Sequence, residues 1–268
     1  MMAPALLPAP TGLPHLISAL RARRLDKTLT TALPVAHVHD DLTVGPTGVP
    51  DLDDRLSGGL PRGQLSEIAG PRSSGRTSLM LQTIAAATGR GELVALVDTL
   101  DMLDLASALA AGVECSRLLW IRGHGVMHPG PCRDLNTRAL EQAVKALSLV
   151  LQAGNFGLVI LDLGEAPADE IRRLPFTTWL RIQRMVEGSQ TVALIVSPAP
   201  LARSAAGLTI KLQPAGGGPG ARVAARGAGR FGARSFAGLD IEVQVARARV
   251  QRHDSLGLPI ATRAACHV

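Results

Sequence analysis

Leu65-Ser66-Glu67-Ile68-Ala69-Gly70-Pro71-Arg72-Ser73-Ser74-Gly75-Arg76-Thr77-Ser78 runs from an apolar segment, through a glycine-bounded turn, into an amphipathic stretch that continues to Ala87. It fits the phosphate-loop pattern G-x-x-x-x-G-K-[ST] except that Arg76 stands where lysine belongs. Glycines in such a turn let backbone N–H groups face phosphate oxygens at a helix N-terminus. Gly70, Ser73, Ser74, Gly75, Arg76, Thr77 and Ser78 are therefore the candidate nucleotide-binding residues, with Thr77 placed to offer its hydroxyl to Mg²⁺. Lysine brings a compact point charge to the β- and γ-phosphates, whereas arginine is a wider planar fork that suits a tight cradle poorly. The expectation is that ATP and Mg²⁺ bind weakly or not at all and that no cofactor is required. A second apolar run, Leu158-Val-Ile-Leu-Asp162, closes on a carboxylate at the Walker B position. Asp162 would either hold Mg²⁺ there or remain as a relic that caps the strand end.

Outward from this stretch, short apolar runs alternate with helical patterns. Strands are predicted at Leu65–Ala69, Leu93–Asp98, Leu118–Ile121, Leu158–Asp162 and Val192–Ser197, and helices at 76–88, 103–112, 136–153 and 170–187. Nearly continuous apolar strands separated by helices indicate an α/β fold, a mainly parallel central sheet flanked by helices on both faces. Leu208–Leu212 is expected to add an antiparallel strand. Four segments are expected: an N-terminal extension with an amphipathic helix (1–43), the core (44–213), a flexible Gly/Arg-rich loop (214–235), and C-terminal strands and tail (236–268), the tail beginning near Ser255.

Composition narrows the function classes. The chain has 268 residues, 46% of them hydrophobic and 19% charged, which suits a globular protein with a sizeable core. No apolar run reaches the roughly 18 residues of a membrane span. The opening Met1–Pro10 is short, proline-broken and without a basic region, unlike a secretory leader. Cys115, Cys132 and Cys266 are widely spaced, which fits a reduced, cytoplasmic setting. His124, His128, Cys115 and Cys132 share one stretch without zinc spacing, so no metal site is expected. Trp120 ends an apolar strand and reads as core.

The formal net charge is +6, and among 28 basic residues only Lys27, Lys145 and Lys211 are lysines. Arg222, Arg226, Arg230 and Arg234, four apart within the glycine-rich segment, are candidates for contact with DNA or an acidic partner; a solvated linker explains them equally well. Near the N-terminus Leu13, Leu16, Ile17 and Leu20 recur at helical spacing beside Arg21, Arg23 and Arg24. That stripe is a candidate protein contact, docking either on its own core or on a partner.

The block from Val49 to Thr77, with Gly58-Gly-Leu-Pro-Arg-Gly63 and Glu67-Ile-Ala-Gly-Pro-Arg-Ser-Ser-Gly-Arg-Thr77, resembles the RecA family and its GGLP-x-G…EI-x-GP-x-SSGKT signature. The resemblance continues through Ala95–Asp98, Leu103-Asp104, Ala111–Val113 and Leu118-Leu119 to the strand ending at Asp162, covers residues 44 to about 212, and returns in the strands after 236. It implies a RecA-like P-loop core. It also exposes departures. The family's catalytic glutamate falls at Leu100, with Asp101 one residue off. The aromatic residue over the adenine falls near Ser107, and Val196-Ser197-Pro198 lacks the glutamine that senses the γ-phosphate. The DNA-binding loop after that strand is shortened. These departures lead to the expectation of a degenerate P-loop ATPase that is not an enzyme and has no catalytic residues.

Within the RecA-like proteins the chain is similar to the ImuA family of the bacterial mutagenesis cassette. That similarity implies a non-catalytic adaptor in damage-induced (SOS) translesion DNA synthesis and mutagenesis. Its partners would be an ImuB-like Y-family polymerase homologue, an error-prone polymerase and RecA, with DNA held through the basic loop and no membrane. A weak DNA-stimulated ATPase of the RecA family and a damage-induced cell-division inhibitor are the alternatives.

Overall fold

Alternating residues of a strand point to opposite faces of its sheet, so a strand covered on both sides is apolar along most of its length. The computed structural model, which describes residues 43–123, 133–202, 207–214, 240–248 and 258–261, shows this directly. The long sheet contains β3 (Leu65–Ala69), β4 (Val94–Asp98), β5 (Leu118–Arg122), β6 (Leu158–Asp162), β7 (Val192–Ser197), β8 (Leu208–Pro214), β9 (Asp240–Ala248) and β10 (Leu258–Ala261). Their order across the sheet is β10-β9-β8-β3-β7-β6-β4-β5. From β8 to β5 neighbouring strands run parallel, and β9 and β10 are antiparallel additions at one edge. A separate small ribbon pairs β1 (Val44–Gly45) with β2 (Leu60–Pro61).

The helices are α1 (Pro50–Arg55), α2 (Arg76–Gly89), α3 (Leu105–Ala110), α4 (Arg133–Ala153), α5 (Ala168–Arg173) and α6 (Phe176–Val186). On one face Ile68, Leu96, Ile160 and Leu194 pack with Leu52 of α1 and Met80 and Ile84 of α2. On the other, Ala95, Val97, Val159, Leu161 and Ile195 pack with Leu140 and Leu147 of α4 and Trp179 and Ile182 of α6. The fold is therefore α/β, a mostly parallel sheet with helices on both faces. Among the described residues no helix is long and apolar enough to cross a membrane.

Three expectations are corrected. The single helix predicted over 170–187 is two helices. Pro175 cannot donate a backbone hydrogen bond and forces Leu174 out of helical geometry, to φ −61° and ψ 125°. Leu208–Leu212 belongs to a strand, but β8 runs parallel to β3, with Ser66 paired to Leu208; its antiparallel neighbour is β9. Part of the expected tail is β10, paired with β9 from Leu258↔Val243 to Ala261↔Asp240. Trp120 is only partly buried: its ring packs against the core, its indole N–H donates to Asp98, and the Arg122 guanidinium lies 4.5 Å from the ring centroid.

Leu13, Leu16, Ile17 and Leu20 lie outside the described residues, as do Arg222, Arg226, Arg230 and Arg234 and also His124, His128 and Cys132.

Candidate nucleotide-binding site

In parallel α/β sheets, ligands bind beyond the carboxyl ends of the strands. The turn Gly70–Gly75 occupies that place at the end of β3, flanked by β7 and β8. Ser73 at φ 59° and Gly75 at φ 84° reverse the chain sharply enough for α2 to begin at Arg76. Gly75 tolerates that conformation because it has no Cβ. The turn is held from below, where the Gly70 amide donates to the Ser197 carbonyl at 3.1 Å and the Leu79 amide to the Gly75 carbonyl at 2.9 Å. Gly70 is also required sterically, since a Cβ there would stand 2.7 Å from the Leu212 carbonyl oxygen. Thr77 and Ser78 are exposed in the first turn of α2, and Ser74 is buried.

Arg76 is 4% exposed. Its guanidinium donates to the Gly70 carbonyl, to the Gly164 carbonyl at 2.5 Å, and to Glu165 Oε1 at 2.6 Å. The planar fork thus ties the start of the phosphate loop to the turn after β6. Glu165 Oε2 meets Arg72, the other arginine of the loop, at 2.5 Å. Asp162 lies at the end of β6, where its Oδ1 accepts the Gly164 amide at 2.8 Å. Burial pushes its carboxyl up to about 6; Asp98 and Glu165 add to that shift, while the Gly164 N–H and Arg76 oppose it. The structure therefore brings Gly70, Ser73, Ser74, Gly75, Arg76, Thr77 and Ser78 into one turn and sets Asp162 close to it.

The positions that depart from the resemblance have structural occupations of their own. Leu100 is 7% exposed and belongs to the core cluster of α4 and α6. Asp101, at φ 59°, is bound by Arg122 through two contacts of 2.7 Å. Ser107 donates to Asp104, the N-cap of α3. Ser197 is buried and donates to the Ala199 carbonyl at 2.9 Å.

Sequence reasoning missed Arg72, Glu165 and Glu67. Glu165 carries no motif signal; only the arginine at 76 gives it a role. Glu67 was visible as a lone charge inside an apolar strand. It is fully buried, and its Oε1 accepts the Leu201 amide at 2.5 Å and the Ala202 amide and Ser197 hydroxyl at 3.4 Å. Burial raises its carboxyl above the ordinary value despite those donors. Glu67 thereby fastens the loop after β7 to the strand that enters the phosphate turn.

Whether the turn fits a triphosphate can be judged from its interior. The buried Ser74 hydroxyl has no partner among the described residues, a costly arrangement unless an acceptor arrives. Gly164 is a second bare spot, where a Cβ would stand 3.0 Å from both Arg76 Nε and Asp162 Oδ1. An orphan donor, glycine walls, two arginines and an exposed threonine at a helix N-terminus are the groups a phosphate arm requires. Asp162 and Thr77 are the residues that would hold its metal ion.

The chain matches the RecA N-terminal domain over residues 27–171. It is 37% identical over 117 residues to Protein RecA of Desulforapulum autotrophicum, covering 43% of this chain and 30% of that protein. It is 39% identical over 123 residues to Protein RecA of Methylococcus capsulatus, covering 46% and 31%, and 38% identical over 122 residues to Protein RecA of Clavibacter michiganensis, covering 45% and 30%. The matches thus span less than a third of the length of these relatives. They overturn the expectation that the chain is not an enzyme. The RecA match includes the phosphate loop and the Asp162 strand, and the relatives bear the name Protein RecA.

Proposed function

The chain belongs to the RecA N-terminal domain family, and from that premise we propose that it binds ATP at the Gly70–Ser78 turn and hydrolyses it slowly, with DNA as the stimulus. We place that activity in damage-induced translesion DNA synthesis, where the protein would serve as an adaptor. Its partners would be a Y-family polymerase homologue, an error-prone polymerase and RecA. The observation that carries the nucleotide reading is the turn itself: a left-handed Gly75 opening α2, with the orphan Ser74 hydroxyl beneath it and Asp162 beside it.

The chain's own groups divide the work. Backbone amides of the turn and the N-terminus of α2 receive phosphate oxygens. Arg72 and Arg76 supply positive charge, and the Ser74 hydroxyl gains an acceptor. Bound Mg²⁺ would neutralise charge developing on the phosphates. Slow turnover follows from Leu100, an alkyl group packed in the core at the position where the resemblance places the water-orienting carboxylate. An adaptor role accords with a family core whose nucleotide turnover is weak, and the DNA stimulus accords with the net charge of +6.

The test is phosphate release by the full chain with and without single-stranded DNA, beside an Asp162→Ala variant. The proposal expects slow release that DNA raises and the variant loses. Release indistinguishable from a blank under both conditions would refute it.

A further inference from the structure

One carboxylate holds both cations of the phosphate turn. Glu165 Oε1 lies 2.6 Å from Arg76, and Oε2 lies 2.5 Å from Arg72. The two arginines differ sharply in setting: the Arg72 side chain is 78% exposed, whereas that of Arg76 is 5% exposed. Glu165 stands on the turn after β6, opposite the loop it engages, and is itself partly buried. It therefore presents an anion to the groups that would meet a phosphate.

From this arrangement we infer that Glu165 is an internal competitor for the phosphate arm and sets the affinity of the site. While Glu165 is engaged, the charge of Arg72 and Arg76 is satisfied within the chain. A polyphosphate must take both guanidinium groups from it. Phosphate suits that exchange because arginine binds its oxygens in the same bidentate manner as a carboxylate, and a triphosphate brings more charge than one carboxylate. The exposed contact with Arg72 is weak and easily surrendered. The buried contact with Arg76 costs more to break, because a charge left without a partner in a buried site is unfavourable. Arg76 is not stranded by the exchange, since it also donates to the Gly70 and Gly164 carbonyls. Removing the Glu165 charge should therefore leave the loop folded and its cations available.

This inference rests on reading the turn as a nucleotide site, and one set of titrations separates the two. Mg²⁺–ATP and inorganic tripolyphosphate are titrated calorimetrically into the full wild-type chain and into Glu165→Gln. The expected result is binding of both probes about tenfold tighter in the variant, since both carry the phosphate arm. Equal affinity for wild type and variant, or weaker binding by the variant, overturns the competitor role and leaves the nucleotide reading standing. Absence of binding by both proteins overturns the nucleotide reading and the competitor role with it. Should Glu165→Gln fail to fold, Glu165→Asp retains the charge but withdraws it by one methylene. It carries the same expectation in smaller measure, and unchanged affinity in that variant counts against the inference.

Discussion

Asp98 and Asp162 are register partners at the carboxyl ends of the adjacent strands β4 and β6, yet their surroundings differ. Asp98 accepts the Met102 and Leu103 amides at 2.9 and 2.8 Å and the Trp120 indole N–H at 3.1 Å. Asp162 accepts the Gly164 amide and is pushed up to about 6 by burial, with Asp98 adding to the shift. Of two carboxylates in one row, Asp98 is taken up by three donors of the chain, whereas Asp162 accepts a single amide and is left ready to take a proton or a cation.

A pH dependence follows. The Asp162 carboxyl rises from 3.8 to about 6 on folding, so folding favours its neutral form. Its contribution to stability is complete below about pH 4 and is lost as pH rises through about 6. Asp162→Asn keeps an oxygen for the Gly164 amide and carries no charge. It should match wild type near pH 4 and exceed it by roughly 1–3 kcal/mol near pH 7.5, measured by denaturant unfolding at both pH values. A difference that does not change with pH would contradict this.

Restoring a carboxylate at position 100 should not restore fast turnover. Leu100 is 7% exposed and clusters with Val97, Leu140 and Leu163. Leu100→Glu places an unpaired carboxylate in that core and should cost about 2–4 kcal/mol of stability, measured by urea unfolding. Phosphate release should not increase. A stable variant with faster release would show that Leu100 faces the reacting phosphate.

Arg76→Lys tests the fork. A lysine ammonium cannot span the Gly70 carbonyl, the Gly164 carbonyl and Glu165 as the planar guanidinium does. It is also compact enough to reach the β- and γ-phosphates. The variant should bind ATP about tenfold tighter, read by nucleotide titration. Unchanged or weaker binding would mean that Arg76 is already suited to the phosphates.

The sheet was legible because parallel strands buried on both faces are apolar at nearly every position, as Val94–Val97 and Val192–Val196 are throughout. The turn was legible because Gly70 and Gly75 answer steric demands that other residues meet poorly. The direction of β8 was not, since a strand's apolar pattern reads the same either way and only its pairing with Ser66–Ala69 decides. The break at Leu174-Pro175 was written in the sequence, but the apolar spacing over 170–187 masked it. Glu165 was illegible for a different reason. Its position depends on where the Arg76 side chain turns, which spacing alone does not encode.

The most direct test of the central claim is equilibrium titration of the full chain with ATP, with and without Mg²⁺, beside Thr77→Val. Thr77 is exposed in the first turn of α2, so the variant removes a hydroxyl at little structural cost. The account predicts saturable binding that Mg²⁺ strengthens and the variant weakens, by about tenfold when Mg²⁺ is present. Absence of saturable binding, or binding that neither Mg²⁺ nor the variant changes, would contradict the assignment of this turn as a nucleotide site.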